Sequence, residues 1–145
     1  MDTSSILPIL KQIPLFQELN EIDHKEVIPH IVMNYYPANH VLFSQEDVGD
    51  KMYIIKSGMV KISRKDENGP DIEIATLTPT DFFGEMALIS DEPRNATATV
   101  VEEGEIFELA KRDFFALIEK TPGLATKIST EFIVRIKSNN KTVNI

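Results

Sequence analysis

The chain has no cysteine, which excludes disulfides and thiolate chemistry and fits a reducing, cytoplasmic setting. It holds only three histidines, His24, His30 and His40. They form no H-x-H pair and precede the central strand-like runs, so the clustered ligands of a small metal-dependent barrel are missing. His24 and His30 are expected on the surface of a helix. With no Ser-His-Asp or Cys-His arrangement either, the expectation is a chain without catalysis, resident metal or cofactor. No apolar run is long enough to cross a bilayer. The start of the chain, with Asp2 and no basic stretch ahead of an apolar one, does not read as a signal peptide. Positive charge is also in short supply: the formal net charge is -8 and the pI about 4.9. That argues against non-specific attachment to nucleic acid or to an anionic membrane. It also means that an anionic ligand needs a locally positive site. From Lys111 onward basic residues outnumber acidic ones, seven to three, which reads as a solvated helix face or as an interaction surface.

What is present has the texture of a small β protein between helices. The 145 residues suffice for one domain with one core. Ser5–Gln12 reads as a short first helix ending before Pro14. Asn20 is a good N-cap for a helix over residues 21–30, with acids in its first turn and Pro29 limiting its end. Seven strand-like runs come next: Ile31–Tyr36, Val41–Ser44, Lys51–Ser57, Met59–Lys65, Ile72–Leu77, Asn95–Val101 and Glu105–Ala110. Each is bounded by Gly, Pro, Asn or Asp. Ser57-Gly58 and Asn68-Gly69 are hairpin signals. Short strands at even spacing point to an antiparallel sandwich or barrel. Lys111–Lys120 is helical, with Phe114, Leu117 and Ile118 on one face. Pro122 suits the start of a last helix to about Asn140, where Leu124, Ile128, Phe132 and Ile136 form an apolar stripe. That stripe packs either on its own sheet or on a second copy of the chain.

One run carries chemistry: Phe83-Gly84-Glu85-Met86-Ala87-Leu88-Ile89, a short gap, then Pro93-Arg94-Asn95-Ala96-Thr97-Ala98. Gly84 lets the backbone approach a ligand closely and adopt conformations that other residues avoid. The residues after it are mostly good helix formers, read as one and a half turns starting at Gly84. The N–H groups at such a start favour an anion. Ser90-Asp91-Glu92-Pro93 ends the helix and Arg94 returns the chain as a strand. Backbone N–H groups on one side and a bidentate guanidinium on the other suit a cyclic phosphodiester. Glu85 would repel a phosphate, but it can accept from a ribose hydroxyl or orient Arg94. The plainer alternative is a surface ion pair of Glu85 and Arg94, contributing about 0–1 kcal/mol.

In their combined order these residues closely resemble the phosphate-binding cassette of cyclic nucleotide-binding domains, the family of the catabolite activator protein and protein kinase A regulatory subunits. The resemblance covers nearly the whole chain. It implies an α+β fold: N-terminal helices over 1–30, an eight-stranded antiparallel jelly roll over 31–110 with its cassette at 83–97, and two C-terminal helices over 111–145, all one domain. It implies a regulatory sensor of cAMP, with cGMP second, and roles for Phe83, Gly84, Glu85, Met86, Ala87, Arg94 and Ala96 in the cassette. Ile62 and Ile74 match positions that wall base and ribose, although core residues would look the same. Asn95 departs from the kinase pattern and leaves the base open, since it could meet a phosphate oxygen or a guanine amino group. Arg135 falls where a basic residue nears the cassette glutamate, and Asn139 where the last helix meets the base, unless that helix frays there. The resemblance further implies a homodimer through the last helix.

Three alternatives remain. A cupin-like enzyme lacks its ligands. A transcription regulator of the catabolite-activator type would need a helix-turn-helix beyond Ile145, so this chain is not expected to bind DNA itself. A nucleotide-free interaction module is opposed by the complete set Gly84, Glu85 and Arg94.

Overall fold

The computed structural model describes residues 6–13, 16–17, 19–120 and 123. Within them eight strands form two four-stranded antiparallel sheets. The strands are β1 (Val32–Tyr36), β2 (Val41–Phe43), β3 (Lys51–Ile55), β4 (Met59–Lys65), β5 (Asp71–Leu77), β6 (Phe82–Phe83), β7 (Thr97–Glu102) and β8 (Gly104–Ala110). One sheet has the order β1-β8-β3-β6, the other β2-β7-β4-β5. Helices α1 (Ile6–Leu10), α2 (Glu21–Val27) and α3 (Lys111–Lys120) flank the strands in sequence. The expected mixed fold is thus observed, and so are all seven strand-like runs. The eighth strand, Phe82-Phe83, is too short for alternation to reveal. It exists because it pairs with Ile54 and Tyr53.

One turn differs from expectation. Asn68-Gly69 lies in the connection of the paired strands β4 and β5, as a hairpin signal should. Ser57-Gly58 instead joins β3 to β4, which lie in different sheets. Gly58 has φ +93°, and a Cβ there would stand 2.7 Å from the Glu102 carbonyl. The glycine therefore serves a tight crossing between sheets.

Alternation along β3 and β8 divides the interior. Met52, Ile54, Phe107 and Leu109 face the helices, and join Ile6, Leu10, Phe16, Val27, Phe114 and Leu117 in one apolar cluster. Phe114, with no solvent exposure, meets Phe16 edge-on at 6.0 Å, worth about 0.5–1.5 kcal/mol beyond the burial itself. Tyr53, Ile55 and Ile106 face the other way, and with Phe43, Val60, Ile62, Phe83, Ala98 and Val100 fill the space between the sheets.

Asn20 caps α2 in a full capping box: its side chain accepts from the Asp23 N–H at 2.8 Å and the Asp23 carboxylate from its own N–H at 3.2 Å. The helix gives way to a 3₁₀ turn, Ile28–His30, at Pro29. His24 is not on the surface as expected. It is 2% exposed, and a ring nitrogen meets the Phe16 carbonyl at 2.7 Å, an acceptor that no periodicity in the sequence discloses. The anticipated helix beyond Pro122, its apolar stripe and the dimer contact lie outside the described residues.

Candidate functional site

The run from Phe83 to Ala98 leads from β6 in one sheet to β7 in the other. Phe83 ends β6, where it stacks on Tyr53 at 4.9 Å. Gly84 then adopts φ +76°, ψ +15°, which a side chain would make costly. Glu85–Leu88 forms a single 3₁₀ turn, shorter than the turn and a half of helix expected. Ile89, at φ -125°, ψ 0°, ends it before the turn residues up to Pro93. The first internal bond runs from the Ala87 N–H to the Gly84 carbonyl at 3.1 Å, so the Glu85 and Met86 amides lie ahead of it. Glu85, Ala87 and Leu88 are buried.

Arg94 is 3% exposed. Its backbone is clamped: its N–H donates to the Asp47 carbonyl and its carbonyl accepts from the Glu46 N–H, both at 2.7 Å. The guanidinium donates through Nη2 to the Lys51 carbonyl at 2.6 Å and through Nη1 to the Gly84 carbonyl at 3.4 Å. Two glycines make room for it. A Cβ on Gly84 would lie 2.7 Å from Nη1, and one on Gly49 would lie 2.9 Å from Nε. Burial pulls the guanidinium below its usual pKa, opposed by Tyr53, Asp50, Asp47 and Glu85. Burial likewise pushes the Glu85 carboxyl up, opposed by a hydrogen bond from its own N–H and by the Arg94 charge. The two groups therefore share a buried recess, with Asp47 and Asp50 close enough to favour the guanidinium's charge, where charged contacts count for more than in water.

The remaining expected residues fall in different places. Ala96 is fully buried in the inter-sheet core, and Met86 is half-buried. Asn95 is exposed, at the rim of a cavity of about 30 Å³ that Met86, Ala87, Ser90, Pro93 and Arg94 also line. Ile62 has no exposure and sits in the inter-sheet core. Ile74 is 39% exposed. It falls at a bulge in β5: Ile62 pairs with Ala75 and Ser63 with Glu73, so Ile74 lies between the registers. Ile62 and Ile74 thus do not form one wall. Arg135 and Asn139 lie outside the described residues.

Sequence reasoning missed the supports of Arg94: Phe43, the Asp47–Lys51 segment and Tyr53. Asp47-Val48-Gly49-Asp50 did carry a turn signature, but nothing in it named its partner. It also missed a buried carboxylate nearby. Glu108, 3% exposed, accepts from Asn34 Nδ2 and the Tyr36 hydroxyl, both at 2.7 Å, and from Lys51 Nζ at 3.1 Å. Through Lys51 this network reaches the carbonyl that Arg94 binds. Among the described residues no group of His, Cys, Asp and Glu is placed to hold a metal, and no helix is long and apolar enough to cross a membrane.

The family emerges from the comparison with known sequences. The model of the cyclic nucleotide-binding domain matches residues 33–121. This chain belongs to the cyclic nucleotide-binding domain family. It is 30% identical to the cyclic AMP receptor protein of Thermus thermophilus, over 88% of this chain and 59% of that one. Two proteins of solved structure share the fold. The N-terminal domain of a transcriptional regulator from Streptomyces coelicolor A3(2) matches with a TM-score of 0.78 and 26% identity, covering 94% of this chain and 98% of that one. The regulatory domain of Toxoplasma gondii PKA, crystallised with cAMP, matches with a TM-score of 0.72 and 32% identity, covering 81% and 45%. The run from Phe83 to Thr97 lies wholly inside the matched residues.

Proposed function

We propose that this chain is a non-catalytic sensor, a single regulatory domain that binds cAMP ahead of cGMP. The observation that carries the reading is the buried Arg94 guanidinium, held against Gly84 and beside the buried Glu85. A monoanionic cyclic phosphate has the charge and the two exposed oxygens that such a fork matches. The Met86 amide, ahead of the first bond of the cassette turn, completes its cradle with Ala87 beside it. Glu85 accepts from the ribose 2′-OH. Met86 supplies apolar surface toward base and ribose, and Asn95 lies at the rim nearest the phosphate. By the family resemblance Arg135 is assigned to the cassette glutamate and Asn139 to the base. The preference for cAMP is supported by two similar proteins, the Thermus receptor and the Toxoplasma regulatory domain, whose names carry that nucleotide.

The signal leaves through α3. Lys111, its first residue, donates to the Ser90 carbonyl at 3.0 Å and pairs with Asp91, both in the turn that ends the cassette. A ligand that draws the cassette inward therefore favours one placement of α3 and of the C-terminal residues beyond it, a population shift that a partner or a second copy reads. Displacement of a fluorescent cyclic nucleotide tests the reading, with cAMP, cGMP and 5′-AMP as competitors. The expected order is cAMP, then cGMP, with 5′-AMP far weaker because its dianionic terminal phosphate does not fit a cradle for a cyclic diester. Absence of any displacement would make the chain a nucleotide-free module of the same fold.

A further inference from the structure

We infer that Phe43 is a positioning residue for Arg94: its ring is a cation–π platform that fixes the plane of the guanidinium facing the ligand. This rests on the reading that the site takes a cyclic nucleoside phosphate. The ring centroid lies 4.1 Å from Arg94 Cζ, well inside the range over which an aromatic face attracts a guanidinium. The hydrogen bonds to the Lys51 and Gly84 carbonyls hold the edge of the group at its terminal nitrogens but put nothing against its face. The ring supplies that contact. It is itself held, 5.7 Å from Tyr53 and 6.1 Å from Phe83, which stack on each other, and it is 7% exposed.

The backbone is built for this placement. β2 pairs with β7 in shifted register: Val41 faces Thr99 while Phe43 faces Ala98. An irregularity of this kind re-aims the side chain beside it. In unbroken register Phe43 would face Thr97, two places from Thr99. The bulge instead sets it opposite Ala98, within reach of Arg94. An aliphatic residue would fill the same apolar space but offer no flat negative face to a desolvated cation.

The test uses the whole chain with Phe43→Leu and Phe43→Tyr. For Phe43→Leu, calorimetric titration is expected to show roughly tenfold weaker binding of cAMP and of cGMP alike, because the phosphate is common to both; this is about 1.4 kcal/mol. Phe43→Tyr keeps the ring and is expected to restore binding to within about threefold. A second readout needs no nucleotide. In NMR spectra of the ligand-free protein, the Arg94 side-chain protons are expected upfield, shifted by the ring current, in the wild type and in Phe43→Tyr, and to move downfield in Phe43→Leu, where the Tyr53 ring at 6.0 Å remains. Unchanged affinity in Phe43→Leu, or equal losses in both variants, would overturn the inference. If the wild type binds neither nucleotide, the function proposed above fails. The Arg94 shift still decides this inference: a downfield move in Phe43→Leu supports the platform and no move overturns it.

Discussion

Replacing Gly84 by Ala puts the close approach of backbone and guanidinium to a quantitative test. At φ +76° a side chain costs about 1–2 kcal/mol, offset by about 0.4–1 kcal/mol from the stiffer unfolded chain. The backbone alone therefore loses about 1 kcal/mol. The new Cβ would also lie 2.7 Å from Arg94 Nη1 and 3.3 Å from the Lys51 carbonyl. The carbonyl belongs to β3 and cannot withdraw, so the guanidinium must move. That strains its 2.6 Å bond to the same carbonyl, a charge-assisted bond worth about 1.5–3 kcal/mol. The sum is about 2.5–4 kcal/mol, to be read by urea denaturation as a lower midpoint at unchanged slope. Gly49→Ala is the control. Its Cβ would crowd Arg94 Nε and the Ala87 Cβ, both at 2.9 Å, without a positive φ. Both variants are expected to weaken cAMP binding, and Gly84→Ala to be the less stable by about 1 kcal/mol. A Gly84→Ala protein with wild-type stability and affinity would refute the reasoning.

Two further predictions concern buried carboxylates. The Glu85 carboxyl is raised by burial, so the folded state holds its proton more firmly than the unfolded state does. Its contribution to stability is complete below the ordinary carboxylate range and is lost as pH rises through the folded pKa. Ligand-free Glu85→Gln is therefore expected to be more stable than wild type at pH 7 and equal to it at low pH, while binding cAMP roughly 10- to 100-fold more weakly for want of a charged acceptor. Thermal melts across pH check the first part and titration the second; a variant less stable at pH 7 contradicts the sign. Glu108→Ala removes the acceptor of the half-buried Tyr36 and Lys51 and of the exposed Asn34, and is expected to cost about 1–2 kcal/mol. Urea midpoints measure it, and a loss below about 0.5 kcal/mol, the range of ordinary surface changes, would show the network to be incidental.

Much of the fold was legible in the sequence because the signals are local. Alternation and turn residues disclosed seven strands, the Asn20 cap needs only its own neighbours, and the cassette is contiguous. What the sequence hid depends on residues far apart. β6 exists only through its pairing with β3. His24 is buried by a carbonyl eight residues away. Ser57-Gly58 resembles any hairpin turn, and only the sheet order shows that it passes between sheets. Within the site, Arg94, Glu85 and Gly84 were readable as a set, but Phe43 and Gly49 touch Arg94 across about a third of the chain. Ile74 was placed by counting along a strand that contains a bulge, and a one-residue bulge changes which way a side chain faces.

The central claim is that Arg94 is the anion receptor of a cyclic nucleotide site. Calorimetric titration of the wild type and of Arg94→Ala with cAMP and cGMP tests it most directly. Losing two charge-assisted bonds of about 1.5–3 kcal/mol each predicts a wild type that binds, cAMP the tighter, and a variant weaker by at least a hundredfold for both. Equal binding by the two proteins would contradict the assignment.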